Sequence, residues 1–392
     1  MISFEEALQI ILSDARQLGT ERVDFNDALH RVLAEDIDSD VDMPPFNKAA
    51  MDGFACRRAD LSDELQVVET IAAGAIATRP VGQGQCIRIM TGAKVPDGAD
   101  TVIMIETTEE VAPDRIRFTG KKTTPNIAYE AEDVRKGDLV LQKGTFIKAQ
   151  HIAIFSSVGA VMPLVAKRPR VAVLSTGDEL VEPAEVPGPG KIRNSNGFQL
   201  AAQVKAAHCI ANYMGIIPDD KDATDLAISK ALAENDVVIL SGGVSMGDFD
   251  FVPEIMKNNH VKIGFRRVAV KPGRPTVFGR TEKSTIFGLP GNPVSSFINF
   301  EIFVKPLLFE MMGYIYRPQQ LQMPLAVPFR RKKADRREFL PVHIDPATGE
   351  VTPVRYHGSA HIHAVGLAQG LMNIPVGVFE FEKGAFTDVR PI

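Results

Sequence analysis

The segment that most restricts this chain is Asp236-Val237-Val238-Ile239-Leu240, which runs straight into Ser241-Gly242-Gly243-Val244-Ser245-Met246-Gly247-Asp248-Phe249-Asp250. Four consecutive apolar residues without alternation are the pattern of a strand covered on both faces, as in a parallel sheet flanked by helices. The paired glycines let backbone come close to a ligand. A helix is expected over 251–259, with Asp248 or Asp250 as its N-cap, and its first N–H groups suit an anion. The same aspartates are hard oxygen ligands of the kind Mg²⁺ takes when it is shared with a phosphate. A tight turn with ordinary capping has the same local sequence, so the neighbours of this loop decide.

From Arg170 onward, strands and helices alternate. Strands are expected at 171–175, 211–217, 237–240 and 285–289, and helices at 198–208, 224–233, 251–258 and 294–312. This alternation predicts a doubly wound α/β domain with a mainly parallel sheet. Phe297, Phe300, Phe303 and Leu307 recur at helical spacing in the last helix, which makes them core rather than a cofactor box. The flanks are β-rich. Short strands separated by Gly, Pro or Asp are expected at 65–71, 85–90, 101–106 and 115–118, then at 321–327, 337–342, 377–381 and 388–390. The N-terminal helix is expected over 3–18, with a Ser3/Glu6 capping box and a stop at Gly19. Shorter helices are expected at 27–34 and 148–158, and residues 43–54 read as an ordered loop. The fold class is therefore mixed α/β and β, multidomain, with a central doubly wound α/β domain flanked by β-rich domains. The expected divisions are 1–45 plus 138–168, 46–137, 169–316 and 317–392.

Length supports several domains, because 392 residues exceed the ~250–300 at which single cores stop growing. A net charge of -5 gives no electrostatic case for nucleic acid or an anionic membrane surface. The cysteines, Cys56, Cys86 and Cys209, are scattered and odd in number, which suits a reducing compartment. The first residues lack a basic and apolar leader pattern, and no ~20-residue apolar run occurs. A cytoplasmic protein is expected.

In an open α/β sheet, ligands bind at the carboxyl ends of the strands. Those ends carry Thr176-Gly177-Asp178-Glu179-Leu180, Pro218-Asp219-Asp220, the Gly242-Gly243 loop, and Pro290-Gly291-Asn292-Pro293-Val294-Ser295-Ser296. Each offers carboxylates, glycines or hydroxyls, and none offers an apolar plug. Together they point to a phosphorylated ligand and a divalent metal. Asp178 and Glu179 suit metal ligation or base chemistry, although either residue can cap a helix. Lys271-Pro272-Gly273-Arg274-Pro275 adds cations beside rigid prolines, as a phosphate contact needs. His357, His361 and His363 lack a second ligand cluster for zinc and are expected on a surface strand.

Read in order, several motifs resemble the molybdopterin molybdenumtransferase family, which comprises the MoeA proteins and the gephyrin E domain, over nearly the whole chain. They begin with Pro44-Pro45-Phe46, Ala50-Met51-Asp52-Gly53-Phe54-Ala55, Met90-Thr91-Gly92-Ala93-Lys94-Val95-Pro96 and Glu132-Asp133. They continue with Ser175-Thr176-Gly177-Asp178-Glu179-Leu180, Ser241-Gly242-Gly243-Val244-Ser245, Lys271-Pro272-Gly273 and Leu289-Pro290-Gly291-Asn292-Pro293. The resemblance implies an elongated four-domain homodimer whose α/β domain has the molybdopterin-binding fold. It implies Mg²⁺-dependent insertion of the substrate molybdate into adenylylated molybdopterin, with release of AMP. By position it implies Asp52, Thr91, Asp178, Glu179 and Lys271 as catalytic. Substrate-binding positions would be Asp133, Gly177, Ser241, Gly242, Gly243, Ser245, Asp250 and Arg267, with Pro290, Gly291, Asn292, Pro293 and Ser295. Metal ligands would be Asp178, Glu179, Asp219 and Asp250. The implied cleft is shared between subunits, with Asp52 and Thr91 facing the α/β domain of the other chain. The molybdopterin adenylyltransferase is a further partner that the resemblance allows.

The chain departs from the family pattern at two positions. Ala128 stands where an arginine usually precedes the Glu132-Asp133 motif, and Arg267 stands where a lysine is common four residues before Lys271. Arg267 is expected to take over part of the molybdate contact, since a guanidinium offers a planar fork of donors to an oxyanion. Two alternatives stand beside the insertion enzyme. One is a molybdopterin adenylyltransferase, against which the extra flanking domains weigh. The other is a non-catalytic scaffold paralogue, against which the retained Asp52, Asp178, Glu179 and Lys271 weigh.

Overall fold

The computed structural model describes residues 1–243, 252–354, 358 and 360–392. Ser245, Asp248 and Asp250 of the glycine loop, together with His357, lie outside the described residues. The chain forms two compact units: Met1–Arg22, His30–Ala34 and Leu164–Ile392 make the larger, and Val23–Leu29 with Glu35–Pro163 the smaller.

The larger unit is built on the alternation read from sequence. We number its α/β elements β1 (Arg170–Thr176), α1 (Ser195–Ala206), β2 (Ile210–Ile217), α2 (Lys221–Glu234), β3 (Val237–Ser241), α3 (Val252–Asn258), β4 (Lys262–Phe265), β5 (Val277–Arg280), β6 (Thr285–Leu289) and α4 (Pro293–Asn299). They form a six-stranded sheet in the order β2-β1-β3-β6-β5-β4. The first four strands are parallel, whereas β5 and β4 are antiparallel additions that the sequence reading did not include. Both faces are covered, which is why the strands carry no alternation. Ala172, Leu174, Val238, Leu240 and Ile286 pack with Ile228, Leu232, Ile255 and Met256 on one face, while the alternate residues Val173, Ile239 and Phe287 are also fully buried. Apart from Ala172, each such side chain contributes ~1.5–3 kcal/mol on burial.

The helix expected over 294–312 is interrupted. Pro293–Asn299 and Lys305–Met311 are α-helical, and Phe300–Val304 between them is a π-turn. The Lys305 N–H reaches back to the Phe300 carbonyl, five residues away rather than four. Pro306 has no N–H to continue the ladder. The Glu301 carbonyl left over accepts instead from Arg390 Nη2 at 2.6 Å. Phe300, Phe303 and Leu307 are core as expected, and Phe297 is half-buried.

The N-terminal helix spans Phe4–Ser13 and has the expected capping box, but it ends before Gly19. Asp14 is drawn to Arg280 at 3.0 Å and Arg16 to the Glu282 carbonyl at 3.3 Å, so the chain leaves the helix axis toward the β5–β6 turn. The helix expected at 27–34 is a single 3₁₀ turn at Phe25–Ala28, because His30 takes a left-handed φ of 61°. At the C-terminal end a second six-stranded sheet runs through Val270–Lys271, Arg337–Ile344, Gly370–Ile374, Phe386–Pro391 and Leu321–Pro324, with Val351–Pro353 attached to Arg337–Ile344. Around the expected strand at 377–381, only Glu380–Phe381 is extended. His363 starts a short helix, His363–Gly366, rather than lying on a strand.

The smaller unit holds a six-stranded sheet in the order Thr101–Met104, Gly53–Cys56, Gln85–Ile89, Glu64–Ile71, Arg115–Phe118, Thr108–Ala112. Gly53–Cys56 falls at the end of the segment read as a loop, yet it is an interior strand with all four residues buried. Four residues are too few to show a period, and the pairing on both sides supplies what local pattern lacks. Among the described residues no helix is long and apolar enough to cross a membrane.

Candidate functional site

The sheet order reverses between β1 and β3: β2 lies outward from β1 on one side, and β6 outward from β3 on the other. Loops diverge at such a point and open a crevice. The strand ends are in register there, with Ser175 beside Ser241, Thr176 beside Ile217 and Ser241 beside Leu289. A cavity of about 730 Å³ occupies this edge. Thr176, Gly177 and Glu179 line it after β1, Asp219 after β2, Ser241, Gly242 and Gly243 after β3, and Pro290, Gly291, Asn292 and Pro293 after β6. The sequence reading placed all of these but Thr176 among the site residues.

Gly242 is required by close approach. Its φ is 93°, and a Cβ there would lie 2.7 Å from the Thr176 carbonyl oxygen. Its N–H donates to the Leu289 carbonyl at 3.1 Å, so the glycine loop is drawn against both neighbouring strand ends.

The carboxylates form a pair. Asp178 Oδ1 accepts from the Asp219 N–H at 3.1 Å, and Asp219 Oδ2 accepts from the Asp178 N–H at 3.4 Å. Both residues are exposed, and among the described residues the second oxygen of each carries no hydrogen bond. Lys191 Nζ donates to the Asp178 carbonyl and holds the turn from outside. Among the described residues no three His, Cys, Asp or Glu side chains come together as a metal-holding group. Of the four implied ligands, the structure therefore pairs Asp178 with Asp219 and puts Glu179 on the cavity wall, while Asp250 lies outside the described residues. A donor set of this kind fits Mg²⁺, which commonly takes one or two carboxylates and completes its shell with waters and substrate phosphates.

Helix α1 contributes residues that the sequence reading missed. Asn194 is its N-cap, accepting from the Gly197 N–H at 3.0 Å and from Ser175 Oγ at 3.1 Å. Its amide donates to Tyr213 Oη at 2.8 Å, and that hydroxyl donates to Glu182 at 2.8 Å. Burial first, and the Glu182 carboxylate second, push the Tyr213 phenol up. Asn196 Nδ2 donates to Ser241 Oγ at 2.9 Å and to the Gly291 carbonyl at 2.7 Å. A carbonyl only accepts, so the amide orientation is settled and Asn196 Oδ1 faces the other way. That oxygen and Thr176 Oγ1 are buried, and among the described residues neither has a hydrogen-bond partner; both residues line the cavity. Orphan acceptors of this kind cost ~1–3 kcal/mol each until a donor arrives. The missed signal was Asn194-Ser195-Asn196-Gly197, a run of cap-forming residues that starts the helix before Phe198.

Other expected site residues lie apart from this cavity. Ser295 is buried within α4. Arg267 is half-buried, and its carbonyl accepts from the Ile2 N–H at 3.3 Å. Lys271 is exposed and lines a separate basin of about 450 Å³. The turn after it is tied to α4: Asn299 Nδ2 donates to Thr276 Oγ1 at 2.6 Å and to the Gly273 carbonyl at 3.2 Å. Gly273 has a φ of 100°, and a Cβ there would lie 2.4 Å from the Asn299 amide.

In the smaller unit, Asp52 and Thr91 are partners. Asp52 Oδ1 accepts from the Thr91 N–H at 2.6 Å and from Thr91 Oγ1 at 2.7 Å. These two bonds hold the Asp52 carboxyl below the usual carboxylate range, the backbone bond contributing most. Asp133 is exposed and its N–H donates to the Met43 carbonyl at 3.0 Å. Ala128 pairs across the ladder with Lys48, and Lys48 is bridged in turn to Lys94 on its far side, so one lysine stands directly beside the position that lacks arginine.

Comparison with known proteins assigns the chain along its length. Residues 2–159 match the model of the "MoeA N-terminal region (domain I and II)", residues 172–310 that of the "Probable molybdopterin binding domain", and residues 322–392 that of the "MoeA C-terminal region (domain IV)". A molybdopterin molybdenumtransferase of Staphylococcus epidermidis is 35% identical over 400 residues, covering 99% of this chain and 95% of its own. The Bacillus subtilis protein of the same name is 34% identical over 408 residues, covering 99% and 93%. A crystal structure of a molybdopterin biosynthesis moeA protein from Pyrococcus horikoshii superposes with a TM-score of 0.86 at 31% identity, covering 100% of both chains. With matches at both flanks as well as across the cavity-bearing sheet, this chain belongs to the MoeA family.

Proposed function

We propose that this chain is a molybdopterin molybdenumtransferase that inserts molybdate into adenylylated molybdopterin and releases AMP. The observation that carries the reading is the cavity at the sheet's switch point, whose wall joins the carboxylates of Glu179 and Asp219, a glycine loop and buried acceptors without a hydrogen-bond partner among the described residues. Relatives bearing that enzyme's name align over 99% of the chain, and this supports the assignment of substrate.

In this reading the glycine loop admits the phosphoanhydride close to backbone, and the orphan oxygens of Asn196 and Thr176 accept hydrogen bonds from the ligand. Asp178 and Asp219 would hold Mg²⁺, aided by Glu179. When bound there, the metal supplies charge neutralisation at the phosphoanhydride as AMP departs. Lys271 and Arg267 present cations to the oxyanion. Asp52, Thr91 and Asp133 act from a second chain in a homodimer. The same reading keeps the four-domain division at 1–45 plus 138–168, 46–137, 169–316 and 317–392. Purified protein supplied with adenylylated molybdopterin, Mg²⁺ and molybdate should release AMP only when molybdate is present. No molybdate-dependent AMP release from folded protein would overturn the reading.

A further inference from the structure

Lys271 does not stand free in its basin. Its Nζ lies 2.8 Å from Glu338 Oε1, and the two residues sit side by side because Val270–Lys271 runs parallel to Arg337–Ile344 with Lys271 opposite Glu338. The Lys271 side chain is 45% exposed, whereas that of Glu338 is 3% exposed. A buried carboxylate needs fixed partners, and Glu338 has a second one in Arg331, whose Nη1 lies 3.3 Å from Oε2 and whose side chain is also 3% exposed. Arg331 cannot follow a moving carboxylate. Its guanidinium also donates to the carbonyls of Val378 at 2.7 Å, Arg336 at 3.0 Å and Pro375 at 2.6 Å. Glu338 is thus clamped from behind by an immobile cation and offers its other oxygen to a flexible lysine at the basin's edge.

We infer that Glu338 is the positioning residue for Lys271: it holds the ammonium at one point of the basin wall, with its remaining N–H donors available to an incoming oxyanion. The inference rests on the proposed reading that Lys271 contacts molybdate. A long lysine side chain loses rotamer freedom when it is fixed on a ligand, and anchoring it beforehand removes that cost from binding.

The sign of one measurement separates positioning from simple charge. Glu338→Gln removes a negative charge beside the oxyanion, so on electrostatics alone it should tighten molybdate. Positioning predicts the opposite: a half-saturating molybdate concentration raised about tenfold, with that for adenylylated molybdopterin little changed. Molybdate titrations of AMP release, with calorimetric molybdate binding in parallel, should be run on the parent, Glu338→Gln, Lys271→Met and the double variant. In the Lys271→Met background, Glu338→Gln should add nothing further. Tighter molybdate in Glu338→Gln, or an equal loss with and without Lys271, overturns the inference. If Lys271→Met itself leaves molybdate binding and turnover unchanged, the reading of Lys271 falls and the inference with it. Absence of turnover in a parent that still binds molybdate counts against the proposed reaction alone, and the calorimetric comparison then decides the role of Glu338. Should Glu338→Gln melt much earlier through its loss at Arg331, Glu338→Asp serves as the second variant. It keeps the charge but shortens the reach, and it should show the same molybdate-specific loss.

Discussion

Asp178 and Asp219 each accept a hydrogen bond from the other's backbone N–H, at 3.1 and 3.4 Å. The reciprocal pair brings two like charges together at the ends of adjacent strands, an arrangement that a cation stabilises. Asp178→Asn keeps an oxygen for the Asp219 N–H, so the melting temperature should hold. Turnover should fall ~10²–10⁴-fold, the usual cost of losing a catalytic or metal-bound carboxylate. A titration of Mg²⁺ against AMP release should move to higher metal. Unchanged turnover would return the pair to a purely structural role.

The bonds from Thr91 keep Asp52 ionised to lower pH than an ordinary aspartate. Thr91→Val retains the backbone N–H and deletes the hydroxyl. The Asp52 carboxyl should then titrate at higher pH than in the parent, part of the way back toward the ordinary value. Carboxyl-resolved NMR titration measures it, and a titration identical to the parent's would show that the hydroxyl does not matter.

If the site is completed by a second chain, variants broken on opposite sides should complement. A mixture of Asp52→Ala and Glu179→Ala chains should regain activity through heterodimers with one intact site. Tagged purification followed by the AMP assay checks it. Verified heterodimers without activity would show that each chain uses its own Asp52.

Arg267 carries the compensation argument for Ala128. A charged hydrogen bond is worth ~1.5–3 kcal/mol, so Arg267→Ala should raise the molybdate requirement about ten- to a hundredfold and leave adenylylated molybdopterin binding nearly unchanged. Ala128→Arg should lower the requirement, although Lys48 already stands beside that position and limits the gain. A molybdate titration of Arg267→Ala that overlays the parent would end the idea.

His208 stacks on His30 with ring centroids 4.3 Å apart. Burial first, then His30, Arg168 and Lys305, push its pKa down from 6.5 to about 4. Between those values the unfolded chain binds a proton that the folded one does not, so stability is complete above about pH 6.5 and falls as pH drops toward 4. For a half-exposed ring the loss is on the order of 1 kcal/mol after solvent screening. Thermal melts from pH 7.5 to 4.5 should show a steeper decline in the parent than in His208→Asn, whose amide tolerates the left-handed φ of 60° at this position. Parallel declines would remove His208 as the cause.

Much of the site was legible in sequence because fully covered parallel strands leave unbroken apolar runs. The runs at Val171–Leu174, Val237–Leu240 and Ile286–Leu289 mark where each strand stops, and the polar residues that follow must then meet at one edge. That logic placed Gly177, Glu179, Asp219, Ser241, Gly242 and Pro290 through Pro293 on one cavity. The Ser3/Glu6 capping box was equally local, and it formed as read.

What the sequence could not determine were the contacts made across long separations. Asn196 reaches the Gly291 carbonyl 95 positions away, Arg390 takes the Glu301 carbonyl that the π-turn releases, and Gly53–Cys56 becomes a strand through pairing on both sides. Periodicity records which side of a local segment meets solvent, and it is silent about which distant segment covers the other side. Lys271 read from sequence is a cation in a proline turn. Only the packing of Arg337–Ile344 alongside it supplies Glu338, because the parallel register and the burial of a carboxylate against Arg331 are properties of the assembled sheet.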